Sequence, residues 1–167
     1  MSGKGILFHV GDNLTGQAFS EVAKDAGYSS VLQHDTIDGA LERLKSFSKP
    51  QLQSVKTFLI ADTLNAVTAS ENMGDRIQSL FGDERPPVES LPSFLAGRIK
   101  QIYSQQGLTP PPVILETTVM RKYPNGAPTL PHIDGVVDLD ADAENPVTAL
   151  RAARIISEQQ GRVIRRA

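Results

Sequence analysis

Residues 55–61 read Val-Lys-Thr-Phe-Leu-Ile-Ala (VKTFLIA), an apolar run rich in strand formers that stops at an acid, Asp62. A run this short and this apolar fits a strand buried on both faces, as parallel sheets require. Residues 5–10 (GILFHV) repeat the pattern and break at the turn cluster Gly11-Asp12-Asn13. Between the two runs the period changes. Ala18, Phe19, Val22, Ala23 and Ala26 recur at helical spacing, and Gly27 stands where a helix C-cap belongs. Val31 and Leu32 mark a short second strand. Asp35 or Thr36 can cap a second helix, whose apolar positions are Ile37, Ala40, Leu41 and Leu44, and Pro50 is expected to end it.

Strands and helices thus alternate with short connections, the pattern of a parallel sheet covered by helices. In such sheets the C-terminal strand ends form the ligand edge. Asp12 and Asp62 both lie at those ends, and adjacent central strands would bring them together.

The middle of the chain is less regular. Residues 66–82 can form a helix through Val67, Met73, Ile77, Leu80 and Phe81. Residues 83–92 (DERPPVESLP) read as a loop by their three prolines. A helix is expected over 94–106, with Phe94, Leu95, Ile99, Ile102 and Tyr103 on one stripe. Pro110-Pro111-Pro112 leads into a fourth strand at 113–118 (VILETT). The prolines at 124, 128 and 131 argue against a long helix over 120–131. A fifth strand is expected at 133–139, and a last helix starts near Pro146.

Composition narrows the class. With 167 residues, 40% hydrophobic and 22% charged, the chain suits one folded domain. The absence of cysteine excludes disulfides, thiolate metal sites and cysteine nucleophiles, and it fits a cytoplasmic setting. A net charge of −2 argues against nucleic acid as the partner. No apolar run approaches the ~20 residues of a membrane span, and the N-terminal apolar stretch is too short for a signal peptide.

Three segments carry a resemblance: VGDN at 10–13, TFLIADTLN at 57–65 and VILETT at 113–118. Together, and in this order of elements, they resemble the response-regulator receiver domain of two-component signal transduction. The resemblance implies a flavodoxin-like three-layer α/β/α sandwich with a five-stranded parallel sheet, order 2-1-3-4-5. It covers one domain over 1–161, with an enlarged connection at about 63–112, and leaves a basic tail at 162–167 with three arginines. By position, Asp62 is implied as phospho-acceptor and metal ligand, Asp12 as the second carboxylate, and the backbone carbonyl of Leu64 as a third ligand. Thr117 is implied as the hydroxyl that follows the phosphoryl group. The chemistry is nucleophilic attack by a carboxylate, with Mg²⁺ neutralising the phosphoryl oxygens. The implied role is signalling through protein contacts, not enzymatic turnover. A histidine kinase or phosphotransfer protein stands upstream, an effector downstream, and a homodimer is an option.

Three positions depart from the family pattern. Gly11 replaces one of two adjacent acids. The family's lysine position falls on Leu139, between Asp138 and Asp140, and no lysine follows Tyr123. The switch aromatic appears as Val136. Loss of the lysine removes a direct charge partner of a bound phosphoryl group.

Other features read as structural. His9, mid-strand, is expected to be packed and hydrogen-bonded in the core, and His34 has no evident catalytic partner. Residues 138–145 (DLDADAEN) resemble the start of a calcium loop but lack its glycine and final glutamate, so a solvated acidic loop is expected. His132 and Asp134 are expected as a surface pair. The arginines at 151, 154, 162, 165 and 166 are expected on a solvated helix face and tail. No glycine loop for a dinucleotide follows the first strand. The alternative function is a small flavodoxin-like enzyme or ligand-binding domain whose pocket is built over the strand ends by the 63–112 insertion.

Overall fold

The computed structural model describes residues 5–62, 64–67, 72–87, 90–117, 131–138, 150–151 and 164–166, with backbone alone for Thr117, Asp138 and 164–166. The expected strands form: β1 (Ile6–Val10), β2 (Ser30–His34), β3 (Val55–Ala61), β4 (Val113–Thr117) and β5 (Gly135–Asp138). All pair in parallel, and these five stand in the order 2-1-3-4-5, a flavodoxin-like arrangement.

A sixth short strand, β6 (Ile164–Arg166), pairs with β5 from within the segment read as a basic tail. An edge strand needs a partner on one side only, so three residues without an apolar pattern suffice.

Strand residues alternate between two faces, and each face has its own core. Phe8, Val10, Phe58, Ile60, Val113, Leu115 and Val136 pack under α2 (Ile37–Lys45), α3 (Lys49–Ser54) and α5 (Leu91–Gln105). Leu7, Leu59, Ile114 and Val137 pack with Phe19 of α1 (Asn13–Val22), Tyr28 and Leu150. Helices on both faces explain why the strands read as continuous apolar runs.

The local signals act largely as expected. Gly27, at φ 95°, closes a 3₁₀ turn over Lys24–Ala26 after α1. Thr36 caps α2 by accepting from Gly39 N at 3.0 Å. Pro50 is a correction, because it opens a helix and does not end one. It sits in the first turn of α3, behind a capping box formed by Ser48 and Gln51, where its missing N–H is an orphan donor anyway. α5 likewise starts earlier than expected, at Leu91, with Pro92 tolerated in its first turn, although Ser90 ahead of it makes no side-chain capping bond. Between 66 and 82, the helix α4 is confined to Met73–Phe81.

Of the last expected helix, Leu150 and Arg151 are helical, and Leu150 is fully buried. Its other residues, together with the proline-rich stretch 121–130, lie outside the described residues.

Candidate functional site

Register decides which residues meet at the C-terminal edge of the sheet. Val10 pairs with Ile60, and Ile60 with Leu115. Thr117 is the last residue of β4, and Asp12 and Asp62 lie just past the ends of β1 and β3, so all three sit at the C-terminal edge of adjacent strands. The β3–β4 pairing continues one step past Ala61, where Asp62 N donates to the Glu116 carbonyl at 3.1 Å. The sequence had singled out all three residues. The Thr117 side chain lies outside the described residues.

Asp12 is occupied by helix capping. Its Oδ2 accepts from Thr15 N at 3.0 Å and from Thr15 Oγ1 at 3.2 Å, and the residue is exposed. Asp62 is half-buried, and Leu64 buries its side chain in the core. The backbone beyond Leu64 is tied to the start of α2. Asn65 and Ala66 carbonyls accept from Ile37 N and Asp38 N, each at 2.9 Å. Two orphan donors of α2 are thereby satisfied, and Asn65 and Ala66 are tied to the start of that helix.

For Mg²⁺, the Asp12 and Asp62 carboxylates and the Leu64 carbonyl are oxygen donors of the right hardness. An ion held by one or two carboxylates and several waters is ordinary for this metal. Among the described residues, no three His, Cys, Asp or Glu side chains come together as a metal-binding group. Gly11 adds no acid, and the space beside it is full. A Cβ there would lie 2.9 Å from Ala61 Cβ, 3.2 Å from His9 Cε1 and 3.3 Å from Glu116 Oε1.

That crowding exposes the strongest polar feature of the fold. His9, on the α1 face of β1, is fully buried, as is nearly all of the Glu116 side chain on β4. Glu116 reaches past Ala61, so that its Oε1 contacts His9 Nε2. The other ring nitrogen, Nδ1, contacts Gln33 Oε1 on β2, and Phe19 packs edge-on to the ring at 5.1 Å. Burial alone pulls the imidazolium down. The Glu116 charge and hydrogen bond, the Gln33 bond and the Asp12 charge outweigh it, so the His9 pKa lies above 6.5. Sequence reasoning placed His9 in a hydrogen-bonded core and missed Glu116 and Gln33. The available signal was two ionisable residues, one in GILFHV and one in VILETT, inside strands too apolar to reach water. Each such residue demands a partner, and the nearest candidate is the other.

The remaining candidates are structural. His34 stacks on Phe8 at 5.3 Å, and burial followed by the nearby Arg43 charge holds its pKa below 6.5. Asp134 does not pair with His132. It bridges Lys100 at 3.0 Å and accepts from Val113 N at 2.9 Å, locking the start of β4. Val136 is buried in the core. Leu139 and residues 140–145 of the acidic loop lie outside the described residues.

The 63–112 insertion does line a groove, of about 990 Å³, but at the opposite end of the sheet from Asp62. Tyr28, Leu52, Thr57, Tyr103, Leu108 and Pro110–Pro112 are among the residues that line it.

No protein-family model, curated protein or solved structure matches this chain. No helix among the described residues is long and apolar enough to cross a membrane.

Proposed function

We propose that this chain is a divergent receiver-like signalling domain that takes up a phosphoryl group on Asp62. The observation that carries the reading is that Asp12, Asp62 and Thr117 stand at the C-terminal ends of three adjacent parallel strands, β1, β3 and β4. An Asp62 carboxylate oxygen attacks phosphorus, and the donor's P–N or P–O bond breaks. The leaving group departs with the electron pair and takes a proton. Asp12, Asp62 and the Leu64 carbonyl would hold Mg²⁺, which supplies charge neutralisation when bound. The donor is a histidine kinase or phosphotransfer protein, and the product is read by protein contacts.

The test is incubation of the full chain with Mg²⁺ and acetyl phosphate, or with beryllofluoride, followed by mass spectrometry and amide NMR. A gain of one phosphoryl group, with shifts centred on Asp12, Asp62 and Thr117 and lost in Asp62→Asn, supports the reading. An unmodified chain with an intact fold overturns it.

The groove at the other sheet end favours a second reading, a small-molecule-binding domain. Screening of nucleotides and flavins by thermal shift, with Tyr103→Ala as control, tests it.

A further inference from the structure

The protonation state of His9 follows from the geometry of its partners. Gln33 Nε2 donates to the Gly11 carbonyl at 2.8 Å and to the His34 carbonyl at 3.1 Å. Those two bonds fix the amide orientation, so the oxygen, an acceptor, faces His9 Nδ1. A carboxylate oxygen faces Nε2. A neutral imidazole carries one N–H and satisfies only one of these acceptors. Both are satisfied by the imidazolium.

The same groups hold the strand ends. Gln33 ties the loop after β1 to the end of β2, and Gly11 N also donates to the His34 carbonyl at 2.9 Å. Glu116 carries the carbonyl that accepts from Asp62 N. Two glycines make room. A Cβ on Gly11 would crowd Ala61, His9 and Glu116, and a Cβ on Gly16 would overlap Gln33 Oε1. A glycine inside α1 weakens the helix, and this close approach gives the reason for it. Among the described residues, the charged groups acting on His9 are Glu116 from β4 and Asp12 from the start of α1. The contacts from β2 and α1 are the neutral Gln33 and Phe19.

We infer that His9, Gln33 and Glu116 form a proton-held latch that fixes the ends of β1, β2 and β3 around Asp62 and loosens when His9 loses its proton. Deprotonation leaves a lone pair against either Gln33 Oε1 or the Glu116 carboxylate. Gln33 cannot turn its amide to donate without losing the Gly11 and His34 carbonyls, so the change is transmitted to the strand edge. His9 and Glu116 are too buried to meet a substrate, which makes them positioning residues.

Two-dimensional NMR of the full chain across pH, following the His9 ring and the backbone amides, tests the latch. The Gly11, His34 and Asp62 amides should shift with the same midpoint as the His9 ring, above the ordinary 6.5. In Glu116→Gln the His9 midpoint should fall by about one to three units, because the opposite charge is gone. Amides that stay still while the ring titrates, or that follow a different midpoint, overturn the latch. If Glu116→Gln does not fold, agreement of the midpoints in the unaltered protein decides alone. The latch does not depend on phosphoryl chemistry. Asp62→Asn should retain the His9-linked shift at Gly11, so the two proposals fail separately.

Discussion

The His9 imidazole and the Glu116 carboxylate meet in the core although 107 residues separate them in the chain. Neither strand borders the other, and the contact crosses the intervening β3 at Ala61. Removing one partner strands the other charge away from water. His9→Leu or Glu116→Leu alone should destabilise the fold by about 3–5 kcal/mol, and the apolar double variant by much less. Urea unfolding of the four proteins completes a double-mutant cycle. Additive losses would show that the pair does not act as a unit.

The pair also sets a pH dependence. The folded state binds the His9 proton more tightly than the unfolded chain, so this contribution is complete below pH 6.5. It is lost as pH rises through the higher folded-state pKa. Urea midpoints of the unaltered protein should decline over that window, and those of the apolar double variant should lack the His9-dependent slope. Equal slopes in both would remove His9 from the account.

Gly16 and Gly74 should respond oppositely to alanine. Gly74, in the first turn of α4, has nothing within 4 Å of an added Cβ, so Gly74→Ala should gain about 0.5 kcal/mol. Gly16→Ala meets Gln33 and should lose about 1–3 kcal/mol through forced repacking. Thermal melts compare the two directly. A gain at Gly16 would show that the Gln33 amide is not held in place.

Asp12 carries a capping role that can be separated from metal binding. Asp12→Ala should cost about 1 kcal/mol by losing the bond from Thr15 N, while Asp12→Asn should keep most of it. Both variants remove the carboxylate from any Mg²⁺ site. Metal-free unfolding therefore reads the cap, and Mg²⁺ titration reads the ligand.

Asp134 and Lys100 should prove unequal partners. Lys100→Met removes a partly exposed ion pair worth about 0–1 kcal/mol. Asp134→Ala also leaves the Val113 N–H without its side-chain acceptor and should cost about 1–3 kcal/mol. Equal losses in chemical unfolding would contradict the role of Asp134 in securing β4.

Much of the fold was legible because its signals are local. VKTFLIA became β3 with the expected bounds, since an apolar run of that length has few alternatives in a parallel sheet. Thr36 and Gly27 acted as caps because a short polar side chain or a left-handed backbone is needed at those points. Pro50 and Pro92 were misread because proline both ends helices and starts them. At Pro50 the cap just ahead, Ser48 with Gln51, separates the two outcomes; α5 starts without a side-chain cap, so Pro92 carried no such signal. β6 was missed because its pairing with β5 leaves no periodic trace in three residues.

The sequence by itself determined the alternation of strands and helices, the apolar faces and the acids at the strand ends. These depend on residue type and near-neighbour spacing. Only the tertiary structure decided that Asp12, Asp62 and Thr117 stand at one edge of three adjacent strands, because strand order joins residues far apart in the chain. It alone showed that Glu116 and Gln33 enclose His9, with Gly11 and Gly16 yielding the space. A buried charge must be paired, but where its partner comes from is set by how the strands are laid side by side.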